Sequence, residues 1–192
     1  MKPVGYLVNT SGSQTGEPGL YYDYILAGNG LFVHAINPLV EATVCVAEAE
    51  VRGLAPLQEA VKLPRGMIPQ PFYDLAISAL AADPDHEHFL AITWDGEYHL
   101  RVPFQEGTFG GVTYERLPNT VLDVHSHGKM GAFFSWTDDH DEQRLGLYMV
   151  VGKLDSLWPD VELRVGAYGY FAPIQIEEVF DARSDIAHPQ TM

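Results

Sequence analysis

Residues 125–138 read HSHGKMGAFFSWTD, and their spacing decides how the chain around them folds. The segment before them, NTVLDVHSH at 119–127, alternates as a strand does. Strand side chains alternate faces, so His125 and His127 point the same way, about 6.5–7 Å apart. Residues 128–134 then turn the chain back. Ser135-x-x-Asp138 has the form of a helix N-terminus with Ser135 as N-cap, and TDDHDEQRL at 137–145 reads as a short helix with an acidic front, which suits the positive end of the helix dipole. Two imidazoles and one carboxylate are three ligands for zinc with a fourth position left for water, the pattern of a catalytic site rather than a closed structural one. Taken singly, His-x-His is a polar strand face and Ser-x-x-Asp a capping pair; together, in this order and spacing, they favour a metal site.

Working outward, one clear helix precedes this region. Phe72, Leu75, Ala76, Ala79 and Leu80 form one apolar stripe, with Pro69 and Pro71 at its entrance and Asp83-Pro84 at its end. HFLAITW at 88–94, Asp95-Gly96 and EYHLRV at 97–102 read as a hairpin with a two-residue turn. GVTYERL at 111–117, LYMVVG, VELRVGAYGYF and PIQIEEVF continue the strand-rich pattern. In the first third, YYDYILA at 21–27 and LFVHAI at 31–36 flank a Gly28-Asn29-Gly30 turn. TVCVAEAEV at 43–51 is a further strand candidate, and NTSGSQTGEPG at 9–19 reads as a loop. Residues 52–71, with four prolines and two glycines, read as a connector. The expected organisation is a β-rich N-terminal extension over 1–65 and a mixed α+β domain over 66–192.

Apolar residues make up 46% of the 192-residue chain and charged residues 19%, ordinary values for a globular protein with a real core. Eleven basic residues against 26 acidic ones leave a formal charge of -15. That balance lacks the basic footprint of a nucleic-acid partner. Cys45 is the single cysteine, so no internal disulfide and no cysteine-based zinc finger can form. It reads as a small core residue in a reducing compartment. The N-terminus lacks the apolar run of a signal peptide, and no apolar stretch approaches the roughly 20 residues that span a bilayer. The expected location is cytoplasmic, with no membrane partner.

The string HSH, seven residues, then Ser-x-x-Asp resembles the JAMM signature of the JAB/MPN metalloproteases, over about residues 66–180. The resemblance implies an MPN/JAB-like (cytidine-deaminase-like) mixed β-sheet flanked by helices. It implies cleavage of a peptide or isopeptide bond at the C-terminus of a ubiquitin-like protein. It makes His125, His127 and Asp138 the ligands of one zinc ion with a bound water, and Ser135 the donor to the oxyanion. The family also carries an upstream glutamate that opens a core strand just after a helix. Glu87 fits that place ahead of Glu97 or Glu106, and as general base it would take a proton from water that zinc acidifies. His86 and His88 beside it read as surface or strand-start residues.

Gly128 stands where the motif usually has proline, and Trp136 where proline often follows the serine. Asp123 shares the histidines' strand face; it is either a partner that fixes an imidazole tautomer or, preferred, a solvent-facing residue. Phe133 and Phe134 read as aromatics buried under the loop, and Asp139, His140, Asp141 and Glu142 as a solvated helix face. The run MGAFFSWTDDHDE is similar to protein A of the bacterial PRTRC system, which implies a ThiF-like activating enzyme as neighbour and possible partner. The leading reading is a zinc metallopeptidase. An alternative is a catalytically silent MPN-type scaffold for protein partners, and a third is a zinc hydrolase of a small amide conjugate at the same site. The oligomeric state and the role of residues 1–65 stay open.

Overall fold

The strings FLAITW, TVLDV and LYMVV are apolar on both faces, the pattern of strands buried inside a sheet. A computed structural model of the chain describes residues 2–108 and 111–181, with the side chains of 106–114 outside that description. In it the three strings become β8 (Phe89–Trp94), β12 (Thr120–Ser126) and β13 (Gly146–Gly152). With β9 (Tyr98–Arg101), β14 (Asp160–Ala167) and β15 (Tyr170–Pro173) they form a sheet ordered β15-β14-β13-β12-β8-β9. Only β12 and β13 run parallel in it; the other pairs are antiparallel. A parallel pair needs a long crossover, and this crossover is residues 127–145, the segment that carries the rest of the motif.

The N-terminal third builds a second sheet. β1 (Val4–Asn9), β2 (Gln14–Glu17), β3 (Tyr22–Ala27), β4 (Gly30–Ile36), β5 (Glu41–Glu48) and β6 (Ala60–Lys62) lie in the order β2-β1-β3-β4-β5-β6. The expected loop at 9–19 contains the edge strand β2, held by pairing to β1. The expected connector at 52–71 likewise contributes β6 and β7 (Ile68–Pro69), the latter parallel to β16 (Phe180–Asp181). Short polar segments such as these become strands because a neighbour supplies the ladder, not because their own pattern demands it. β10 (Gln105–Thr108) and β11 (Gly111–Tyr114) form a separate ribbon. VELRVGAYGYF is two strands about a turn at Tyr168-Gly169, and PIQIEEVF holds a 3-10 turn at Ile176–Glu178.

Both sheets feed one core. Val33, Ala35, Ala42 and Val44 of the first sheet cluster with Leu122, Val124, Leu147, Met149, Leu163 and Val165 of the second. α1 (Gln70–Ala81) joins the same cluster through Ala76 and Leu80. Its buried stripe is Phe72, Tyr73, Ala76, Ile77 and Leu80; Leu75 faces outward, 53% exposed, because the stripe is turned one residue from the expected one. The β8–β9 turn spans Asp95, Gly96 and Glu97, with Trp94 opposite Tyr98, so it has three residues rather than two. The other face of the second sheet carries Asp123, His125, Tyr148 and Arg164 in register. There α2 (Trp136–Asp141), shorter than the expected 137–145, lies within the crossover.

Candidate metal centre

β12 fixes the two histidines by being held on both sides. Ser126, fully buried between them in sequence, faces the opposite way. Its Oγ accepts from the His88 N–H at 3.0 Å, and its own N–H donates to the His88 carbonyl at 3.0 Å. The His127 N–H donates to the Val151 carbonyl at 2.9 Å, tying the strand end to β13. Phe89 stacks on the His125 ring with centroids 5.1 Å apart, and Phe133 meets the His127 ring edge-on at 4.5 Å.

Gly128 then turns the chain with φ 57, where a Cβ would lie 2.7 Å from the Pro84 carbonyl oxygen. Proline is locked near φ -65° and cannot adopt this conformation, which accounts for glycine where the motif usually has proline. Farther on, the loop lies against the end of β13: a Cβ on Gly152 would come within 2.4 Å of backbone atoms of Met130, Gly131 and Ala132.

Ser135 caps α2. Its Oγ accepts from the Asp138 N–H at 3.3 Å, while Asp138 Oδ2 accepts from the Ser135 N–H at 2.6 Å. The capping pair and the ligand set are therefore one device, because the other oxygen, Asp138 Oδ1, lies 3.4 Å from His125 Nε2. His125, His127 and Asp138 each offer a ligand atom, all within 4.8 Å of one another. Ligands at 2.0–2.1 Å on a tetrahedral zinc are about 3.3 Å apart, the separation already present between His125 and Asp138. His125 Nε2 and His127 Nδ1 are buried and have no hydrogen-bond partner. Buried polar atoms are nearly always paired, so these two orphaned nitrogens fit a cation that would accept their lone pairs. Burial also drives the His125 pKa down to about 4, against the pull of Asp138, which keeps the ring neutral as a ligand must be.

Glu87 is half-buried. The backbone contact runs one residue past Phe89 opposite His125, where the Ser126 N–H reaches the His88 carbonyl. Glu87 lies just before β8, at the strand end that pairs with His125. Glu97 sits in the β8–β9 turn, at the other end of β8, with an 81% exposed side chain. The Glu106 side chain lies outside the described residues. His86 and His88 both contact Asp83, at 3.0 Å and 3.1 Å.

Three expectations are corrected. Asp123 is not solvent-facing: it is buried 3.4 Å from the Arg116 guanidinium, and burial pushes its carboxyl up to about 6 against that arginine. Asp139 and Glu142 do not form a solvated face, since both bind Arg164; His140 and Asp141 are the exposed members. Phe133 is 46% exposed rather than buried, whereas Phe134 is half-buried under the Arg164 guanidinium. Cys45 is half-buried beside Ile25 and Phe32, and burial raises its thiol pKa. The residues the sequence reading missed are Arg164, Ser126 and Phe89. Only Arg164 left a trace, as the single cation inside the apolar strand VELRVGA.

Residues 77–163 match the family model described as prokaryotic homologs of the JAB domain. That span contains Glu87, the three candidate ligands and Ser135, and leaves the whole first sheet outside. No curated protein matches the chain.

Proposed function

We propose that the domain at residues 77–163, which belongs to the JAB family, makes this protein a zinc-dependent hydrolase of peptide or isopeptide bonds, with the C-terminus of a ubiquitin-like protein as its substrate. The observation that carries the reading is the group of His125, His127 and Asp138 with two buried ring nitrogens left unpaired. His125, His127 and Asp138 Oδ1 would hold the ion. When bound, zinc supplies Lewis acidity, polarising a carbonyl and acidifying water.

The remaining work falls to the chain. Glu87, just before β8, takes the proton of the attacking water and returns it to the leaving amine. The Ser135 hydroxyl accepts from Asp138 N–H at 3.3 Å, so its own proton remains to donate to the carbonyl oxygen as negative charge develops there. Asp138 orients Ser135 through the Oδ2 bond, so ligand and donor move as a unit. Exposed apolar side chains lie on two segments that meet where the Lys153 N–H reaches the Met130 carbonyl: Met130, Phe133 and Trp136 on the crossover, Leu157 and Trp158 on the β13–β14 loop. Trp136 and Trp158 are 80% and 83% exposed. Exposed apolar side chains of this kind suit contact with a protein surface and support a ubiquitin-like substrate over a small conjugate. A ThiF-like activating enzyme of a PRTRC-type operon is the partner that would act on the same C-terminus.

The test is metal analysis of the purified protein with cleavage of ubiquitin-like fusions by wild type and Glu87→Gln. About one zinc per chain is expected, with kcat lowered on the order of 10²–10⁴-fold in the variant. Protein that takes up no zinc, or a variant that cleaves at the wild-type rate, overturns the assignment.

A further inference from the structure

α2 is too short to hold itself. It has six residues, none buried, so neither helix propagation nor apolar burial fixes the segment that presents Asp138. What grips it is Arg164, which β14 places on the same face, paired to Tyr148 as Tyr148 is to Asp123. Arg164 Nε and Nη2 donate to Glu142 Oε2 at 3.0 Å and 2.7 Å, and Nη1 donates to Asp139 Oδ1 at 2.6 Å. The guanidinium carbon lies 3.8 Å from the ring centroids of both Phe134 and Phe171. The Arg164 and Glu142 side chains are 8% and 6% exposed. A planar fork stacked between two rings has one orientation, which a lysine ammonium would not have.

We infer that Arg164 is the positioning residue for Asp138: through Asp139 and Glu142 it clamps the C-terminal side of α2 to the sheet, so that the Asp138 carboxylate stays within reach of His125. Asp138 is then pinned from two sides. The Ser135 cap holds it from before, and the Glu142 N–H, donating to the Asp138 carbonyl at 2.9 Å, holds it from behind. Phe134, one residue before the cap, is pressed by the same guanidinium. The clamp therefore spans the whole turn. The inference rests on the zinc reading above.

The test compares wild type with two variants. R164M/E142M removes the two buried charges together and strands only the Asp139 carboxylate, whose side chain is 49% exposed, so no buried ion is left uncompensated. E142Q keeps the shape of Glu142 but weakens the clamp, and serves if the double variant does not fold. Zinc affinity is measured by competition with a chromophoric chelator, the visible band of cobalt-loaded protein reports ligand geometry, and hydrogen exchange follows residues 136–142 without metal. Zinc affinity is expected to fall about 10–100-fold in R164M/E142M and several-fold in E142Q. The cobalt band weakens, and 136–142 exchanges faster while the β12 and β13 amides stay protected. Zinc affinity within twofold of wild type with unchanged exchange at 136–142 overturns the inference. Should wild type take up no zinc, the zinc reading fails separately, and the exchange measurement alone decides: unchanged exchange at 136–142 overturns the clamp and faster exchange sustains it.

Discussion

His125 shows how one side chain carries both the chemistry and a stability cost. Burial lowers its pKa from 6.5 to about 4, so the folded metal-free protein resists a proton that the unfolded chain accepts. The stability this gives is fully present above about pH 6.5 and is lost as the pH falls toward 4. Asp123 and Glu142, raised by burial to about 6 and about 7, act in the opposite sense and gain stability as they protonate. The effect of His125 is therefore read as a difference. In urea melts of metal-free protein, wild type should lose on the order of 2–3 kcal/mol relative to His125→Gln between pH 7 and pH 4.5. A constant difference across that range would show that burial does not hold His125 neutral. At this scale the candidate ligand group was legible because His-x-His and Ser-x-x-Asp are local patterns. Arg164 and Asp123 were not, because their partners Glu142 and Arg116 lie elsewhere in the chain and only the fold brings them together.

At the scale of the element, Ser135 closes the capping box of α2 and is also the serine proposed as the catalytic donor. Ser135 accepts the Asp138 N–H as N-cap and has a hydroxyl proton still to give. The two roles separate by substitution. Ser135→Ala should cost about 1 kcal/mol of stability through the lost cap, whereas Ser135→Gly should cost only a few tenths. Both lose the donor, so both should lower kcat about 10²–10³-fold. Thermal melts beside steady-state kinetics check this; equal activity in either variant and wild type removes Ser135 from the chemistry. The helix start was legible from Ser135 and Asp138, but its length was not. TDDHDEQRL reads as helix to residue 145, yet the last turn gives way where Glu142 is drawn in to Arg164. The edge strands β2, β6 and β7 were illegible for a related reason: their neighbours, not their own residues, make them strands.

For the whole molecule, the first sheet shares a core with the second: Val33, Ala35, Ala42 and Val44 belong to the same buried cluster as the apolar residues of β12, β13 and β14. Alternating apolar residues in β4 and β5 predicted a buried face, but nothing local to them said which surface would cover it. The second sheet had its own visible need: with α2 and the crossover on one face, Leu122, Val124, Leu147 and Met149 require cover on the other. Shared burial predicts that the two sheets unfold as one cooperative unit. Val33 tests this, as it is fully buried in the middle of the first sheet. Val33→Ala should destabilise the metal-free protein by about 2 kcal/mol, lowering Tm by roughly 4–8 °C. The three tryptophans, Trp94, Trp136 and Trp158, all lie outside the first sheet. Their fluorescence should nevertheless shift with the substitution, at the same midpoint as the circular dichroism of both sheets. Two separate midpoints, with tryptophan fluorescence indifferent to Val33→Ala, would make the first sheet an independent module and leave the metal centre to stand on residues 66–181 alone.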